Sequence, residues 1–501
     1  MILSNIRVTY SGFIAFGASV FSSVTGLIFV IIVTRQLEPE DFGLWTLIGS
    51  LVAYIAILHP IIGYWTTREI ARGEKVGRTS IFSSGFLSGV GFLIYSGIAI
   101  YVSYSLEADL LVLMLASILV PISFLNNTLG SICLGFKPQA VSYGTVAFEL
   151  GKLPVGFLLV YVMQLEIIGV LITLILATFM RTIVLMVLGK TQIIGKIRFD
   201  LIRTWMRLSW LPVYQKAAYI IRRLDVLIIS FATGSFMGLA FWGASLAISN
   251  MIIHSQLIFQ GLYPKLLATG KKEFAEESLK RTLFFAIPLL GASIIFAKPG
   301  LHILNPLYVD AVPVVILLSI TTFLSSIREF FYKILFGYEN VDIDKKASFR
   351  DYIKSKLFFV PTLEYVFTGS YIAILLVFII LIQSNEFSEI LVVIIWSMIL
   401  LLTSIPVTIY CFIIVKKEYS ISIPIKEVTK YSLVTIFASI ITFLLIENTL
   451  TYHDSIFDFL PELIPIMLIS GIIYFGLIYV VDKPTRKLYI NILNEFKKKW
   501  H

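Results

Sequence analysis

Apolar runs of about 19 to 26 residues recur from one end of this chain to the other, and each matches the length a helix needs to cross a hydrocarbon layer roughly 30 Å thick. Fourteen such runs are readable in 501 residues, the first at 10–33 and the last at 463–481. In lipid every backbone N–H and C=O must be satisfied within the segment, so a chain of such runs folds as helices. The composition agrees. Hydrophobic residues make up 58% and charged residues 14%, where soluble domains run near 45–50% and 25%. The expected fold class is therefore an all-α polytopic membrane protein of about 14 transmembrane helices. The run at 10–33 is too long for a signal h-region, and no small-x-small cleavage site follows it, so it reads as a retained helix.

Basic residues orient the array. Tails and alternate loops on one face hold 32 lysines and arginines, whereas the other face holds only Arg35 and Lys298. The positive-inside rule then puts both termini in the cytoplasm. No loop is large enough for a soluble domain, no GxxxxGK[ST] occurs, and the five histidines and two cysteines show no ligand spacing. These absences argue against a nucleotide-driven motor, a catalytic centre, a metal site or a cofactor, and the net charge of +9 is a matter of topology rather than of nucleic-acid binding. The polar stretches 189–207, 261–280 and 333–356 have room for amphipathic interfacial helices.

The sequence also matches itself weakly. Val30-Ile-Ile-Val-Thr ahead of Phe42-Gly-Leu-Trp resembles Val226-Leu-Ile-Ile-Ser ahead of Met237-Gly-Leu-Ala, and Gly63-Tyr stands to its loop as Gly261-Leu-Tyr stands to Thr269-Gly-Lys-Lys. This pairs spans one and two with spans seven and eight, and divides the chain into an N-lobe at 1–200, a C-lobe at 201–420, and two added helices with a basic tail at 421–501. Transporters are commonly built from such repeats, with the substrate site between them.

The segment Thr34-Arg-Gln-Leu-Glu-Pro-Glu-Asp-Phe-Gly-Leu-Trp resembles the N-terminal hallmark of polysaccharide transporters, the Wzx-type flippases of the multidrug/oligosaccharidyl-lipid/polysaccharide (MOP) superfamily. Leu211-Pro with Arg223-Leu-Asp225-Val-Leu-Ile-Ile, Tyr263-Pro-Lys, and Asn305-Pro-Leu-Tyr-Val-Asp-Ala-Val-Pro are similar to later parts of that family. The resemblance implies two six-helix lobes around a cavity, a lipid-linked oligosaccharide as substrate, and two extra helices that help form a groove for a polyprenyl tail. Membrane lipids and glycan-assembly enzymes are the partners it implies, and the plasma membrane the location. The hallmark itself reads as structure, with Pro39 near a helix start, Asp41 as an N-cap of span two, and Gly43 admitting a close helix contact.

Charges within spans carry the functional reading, because a central Arg or Lys costs about 2.5–3.5 kcal/mol to insert. Six are basic (Lys152, Arg181, Lys216, Arg222, Arg223, Arg328) and four acidic (Glu149, Asp225, Glu329, Glu364). In span seven, 208–233, Lys216 and Arg223 share a face, and Arg222 and Asp225 are placed to pair at i, i+3. A guanidinium matches phosphate oxygens in a planar fork, so Arg222, Arg223 and Lys216 are the expected contacts to a phosphate or pyrophosphate head group, joined by Lys152 and Arg181. Asp225 and Glu149 are the candidates for coupling or charge pairing. Pro154, with Gly151 and Gly156, weakens span five and makes a candidate gate. A purely structural Glu149–Lys152 pair, or an Asp225–arginine pair, is the plainer alternative. Arg328, about a turn from the end of span ten, is expected to snorkel. Glu364 is left without a role.

Overall fold

The computed structural model describes residues 8–482 and 486, apart from 72, 208, 260–265, 267–271, 340–348 and 384–386. The Tyr263-Pro-Lys motif and nearly all of the second loop of the repeat lie outside the described residues. Helices dominate, and no strand occurs among the described residues. In chain order they are α1 Val8–Gln36, α2 Pro39–Ile55, α3 Pro60–Ala71, α4 Gly77–Leu106, α5 Leu110–Ser117, α6 Leu119–Phe136, α7 Gln139–Gly156, α8 Glu166–Ile193, α9 Phe199–Arg207, α10 Trp210–Arg222, α11 Asp225–Thr233 and α12 Met237–Ser249. There follow α13 Lys272–Ile295, α14 Ala297–Leu304, α15 Val312–Gly337, α16 Phe349–Lys354, α17 Lys356–Gln383, α18 Glu389–Tyr419, α19 Ile425–Thr449 and α20 Ile456–Val481. Among the described residues, thirteen helical stretches are long and apolar enough to span a membrane.

The difference from fourteen lies in span seven. Residues 208–233 do not form one helix but two short ones, α10 and α11, parted at Arg223-Leu224. Two other expectations also change. The second span begins at Pro39, not at an Asp41 cap, because proline's fixed φ opens the helix at once and leaves Glu40 and Asp41 in its first turn. Arg328 does not snorkel. Its helix runs on to Gly337, which sinks the guanidinium about two and a half turns from the end, and it is 4% exposed and donates to the Thr408 hydroxyl at 3.3 Å.

The packing is that of a protein whose solvent is oil. On α4 the buried stripe is small and polar, with Ser80, Ser84, Ser88 and Gly91 among its members, while Phe82, Phe86, Leu93 and Ile100 point outward. Without a hydrophobic drive between helices, small residues gain by letting backbones approach, and hydroxyls act as interhelical glue. Thr66 donates to Ser80 at 2.8 Å and Thr128 to Ser84 at 2.7 Å, which ties α3 and α6 to α4. Gly43 behaves as the hallmark implies, since a Cβ there would stand 2.0 Å from the Phe236 carbonyl oxygen.

Contacts group the chain into two compact units: Met1–Gly243 with Pro361–Val393, and Ala244–Val360 with Ile394–His501. This partition differs from the lobe boundaries read from the sequence, because α10, α11 and most of α17 pack with the N-terminal helices. In the first unit α7 packs on α8 and α1, and α6 on α3, α4 and α8. In the second, α13 packs on α19, on α15 and on the turn-like helix Asn250–Phe259, while α19 packs on α20.

Candidate functional site

The break between α10 and α11 organises the principal site. Here the α-helical ladder slips, with Leu224 N–H bonding to the Ile221 carbonyl at 3.1 Å and Val226 N–H to the Arg223 carbonyl at 3.4 Å. Such a break at membrane depth persists only where other groups satisfy the backbone. Tyr54 of α2 donates its hydroxyl to the Arg223 carbonyl. Asp225, 5% exposed, accepts from its neighbour's Val226 N–H at 2.7 Å and from the Tyr371 hydroxyl of α17 at 2.6 Å. Thr368 of α17 also donates to the Ala218 carbonyl at 3.1 Å, so α17 is stitched along α10.

Three cations stand on this broken element. Arg222 donates to Glu364 of α17 at 2.8 Å and lies over the rings of Phe367, at 4.8 Å, and Tyr219, at 5.4 Å. The ion pair drawn from the sequence, Arg222 with Asp225, is thus replaced by one across 142 residues. That gives Glu364 its role. Arg223 and Lys216 are exposed, and no carboxylate among the described residues lies within ion-pair distance of either. Lys216, Tyr219 and Arg223 fall at i, i+3 and i+7, one stripe of the helix. Arg223 sits 5.2 Å from the centroid of Tyr219, whose ring is 48% exposed. A stripe with two unneutralised cations is incompatible with lipid tails and belongs against water or an anion.

Glu149, Lys152 and Arg181 form a second cluster in the same unit, with a different character. Glu149 and Lys152 are 2% and 6% exposed and pair at 2.5 Å. Glu149 also accepts from Ser22 at 2.6 Å and Thr25 at 2.7 Å, while the Lys152 ammonium lies 5.4 Å from the ring of Phe29 and 5.1 Å from that of Phe148. The network binds α1 to α7 and encloses the lysine. Arg181 of α8 lays its stem against α7, its Cγ 3.3 Å from where a Cβ of Gly144 would be, and its buried Nε has no hydrogen-bond partner among the described residues.

The glycines flanking Pro154 serve close packing. A Cβ at Gly151 would meet Met180 at 2.5 Å, and one at Gly156 would meet Phe29 at 2.6 Å. Just beyond them the helix widens into a π-helical stretch at Phe157–Val162, and Gln164 and Glu166 adopt left-handed φ of 51° and 47°. Widening of this kind releases the i→i−4 register, is rare, and is frequently found at functional sites. On the reading of Pro154 as a gate, its replacement with alanine leaves insertion intact and slows movement of substrate across liposome membranes, and an unchanged rate would reduce Pro154 to packing.

The second unit contains an apolar groove of about 560 Å³ between α13 and α19. Ile287, Gly291 and Ile294 line one wall and Thr435, Ile440 and Phe443 the other. Gly291 admits the close approach, since its Cβ would stand 2.4 Å from Thr435.

Five contributors to the principal site escaped sequence reasoning: Tyr54, Tyr219, Phe367, Thr368 and Tyr371. All are uncharged residues in apolar runs, and nothing local separates them from membrane filler. Glu364 was visible as an acid in a span, but its partner was not. Among the described residues no group of three or more histidines, cysteines and carboxylates is placed to hold a metal ion.

No protein-family model matches the chain, and no curated protein matches it in sequence. Solved structures do. A multidrug resistance MATE family transporter of the MOP superfamily, in its inward-facing conformation, matches with a TM-score of 0.59 at 12% identity, over 80% of this chain and 96% of that one. The lipid II flippase MurJ, in an inward closed conformation, matches at 0.55 and 14% identity over 94% and 99%. The Vibrio cholerae MATE transporter VcmN in its bent form matches at 0.52 and 12% over 81% and 96%. This polytopic chain thus has the fold shared by multidrug and lipid-flipping transporters of the MOP superfamily.

Proposed function

We propose that the chain is a flippase that carries a polyprenyl-phosphate or pyrophosphate-linked oligosaccharide across the plasma membrane, for assembly of a polysaccharide, surface glycan or glycoprotein. The carrying observation is the exposed stripe Lys216, Tyr219, Arg223 beside a broken helix, in which, among the described residues, Arg222 alone of the three cations has a carboxylate partner. Excess positive charge in a span is expensive, and an anionic head group offsets that expense while gaining the bidentate hydrogen bonds of a guanidinium. The groove between α13 and α19 supports the same reading, since its nearly all-apolar walls suit a polyprenyl chain that stays in oil while the sugar crosses. Both termini lie in the cytoplasm on this reading, with the 32 basic residues of that face holding the orientation. Lys152 and Arg181 enter only if their enclosed cluster opens during the cycle, with Glu149 and Asp225 as the groups whose pairing would change.

A multidrug exporter of the same fold is the reading that the likeness to MATE transporters favours. A site for organic cations calls for acidic or apolar walls, and the unneutralised Arg223 and Lys216 oppose it. A membrane glycan polymerase or glycosyltransferase calls for catalytic carboxylates on a substantial loop, which the sequence does not offer. The deciding experiment places the purified chain in liposomes with a fluorescent lipid-linked oligosaccharide and follows its access to an impermeant quencher. Protein-dependent exchange between leaflets is expected. Uptake of a cationic dye without glycolipid exchange would overturn the proposal in favour of the exporter.

A further inference from the structure

The segment that joins α8 to α10 exposes apolar and basic side chains side by side. Phe199, Ile202 and Met206 recur at i, i+3 and i+7 on α9, and the first and last are 66% and 46% exposed. Ile194, just before, is 70% exposed. In water such exposure has no compensation. Phe199 meets Phe82 edge to face at 5.9 Å, and Phe82 itself faces outward on the second turn of α4, a membrane-spanning helix. The apolar edge of α9 therefore continues the lipid-facing surface of α4 at the end of the span, which is the position of an interfacial helix.

The charges around it are uneven. Arg198 is neutralised by Glu74 at 3.1 Å and Asp200 at 3.4 Å. Lys196, Arg203 and Arg207 are exposed, and among the described residues no carboxylate pairs with them. The platform is also rigid. Trp205 is 1% exposed and anchors α9 in the bundle, Arg78 donates to the Gly195 carbonyl at 3.2 Å, and the Arg198 N–H donates to Thr79 at 3.1 Å. An apolar edge seated at the bilayer boundary, with unpaired cations held beside it, fits a negatively charged head group whose acyl chains run along Phe82 and Phe199.

We propose that α9, with Lys196, Arg203 and Arg207, is an anionic-phospholipid site at the membrane surface, separate from the transport site. Its chemistry follows from charge complementarity, each basic residue near an anionic bilayer surface strengthening association about fivefold. The test uses the full chain in phosphatidylcholine nanodiscs, with a fluorophore on a cysteine replacing Met206. Cys133 and Cys411 are both buried and do not compete for the label. Brominated phosphatidylglycerol is expected to quench at a lower mole fraction than brominated phosphatidylcholine. Arg203→Gln with Arg207→Gln is expected to raise the phosphatidylglycerol half-point about fivefold to twentyfold while leaving that of phosphatidylcholine unchanged. Lys416→Gln with Lys417→Gln, remote in sequence and also exposed, should leave both unchanged. Equal half-points for the two lipids, no quenching by either, no effect of the arginine pair, or an equal effect of the lysine pair would each overturn the proposal.

Discussion

Arg223→Ala is expected to weaken binding of a polyprenyl-phosphate head group by about tenfold to a hundredfold while leaving thermal stability close to that of the wild type. The range is that of losing hydrogen bonds to a charged partner, about 1.5–3 kcal/mol. Stability is spared because the Arg223 side chain is exposed and has no carboxylate partner among the described residues, so its removal strands nothing. Arg223→Lys should fall nearly as far as Arg223→Ala, since the ammonium keeps the charge and loses the fork. Arg222→Ala behaves differently. It leaves Glu364 without its 2.8 Å partner in a site about four-fifths buried, at a cost of about 1–3 kcal/mol in stability. Pairing it with Glu364→Gln should restore folding without restoring head-group binding. Binding by microscale thermophoresis and melting in detergent separate the two effects. Normal binding by well-folded Arg222→Ala, Arg223→Ala protein would sink the site assignment and leave the flippase reading on resemblance and fold.

The largest loss of stability is expected from Glu149→Leu. That change removes the only carboxylate paired among the described residues with Lys152, which is 6% exposed and held between two phenyl rings. Breaking a buried pair from one side typically costs about 3–5 kcal/mol, a large part of the stability of an ordinary domain. Ser22 and Thr25 lose an acceptor as well, although Thr25 retains the Phe21 carbonyl at 2.8 Å. Adding Lys152→Met should recover most of the melting temperature, because apolar side chains of similar volume replace buried ion pairs at little cost. Flipping by the double variant then tells what the pair is for. Full activity makes it a fastening between α1 and α7, and a folded but inactive protein puts it in the transport cycle. A single Glu149→Leu protein that melts like the wild type would refute the account of the buried pair.

What the sequence determined by itself is everything that lipid as a solvent imposes. Run lengths dictated helices, and hydrophobic composition dictated a polytopic membrane fold, because both follow from backbone satisfaction and transfer energies that act residue by residue. The cations at 216, 222 and 223 were legible as exceptional for the same reason, since insertion of a charge is a local expense. Tertiary structure decided what those exceptions do. The sequence placed Asp225 three residues from Arg222 and no other acid nearby, yet α17 brings Glu364 to the arginine and Tyr371 to the aspartate, which also accepts from the N–H of its own neighbour Val226. Only the fold could show that residues 208–233 break, because the partners that make the break tolerable come from α2 and α17, far away in the chain. Likewise Lys152 and Arg223, equal as charges in a hydropathy profile, diverge in three dimensions. One is enclosed with its counter-ion and the other is exposed with no carboxylate partner among the described residues, since burial and pairing are properties of neighbours that local sequence does not encode.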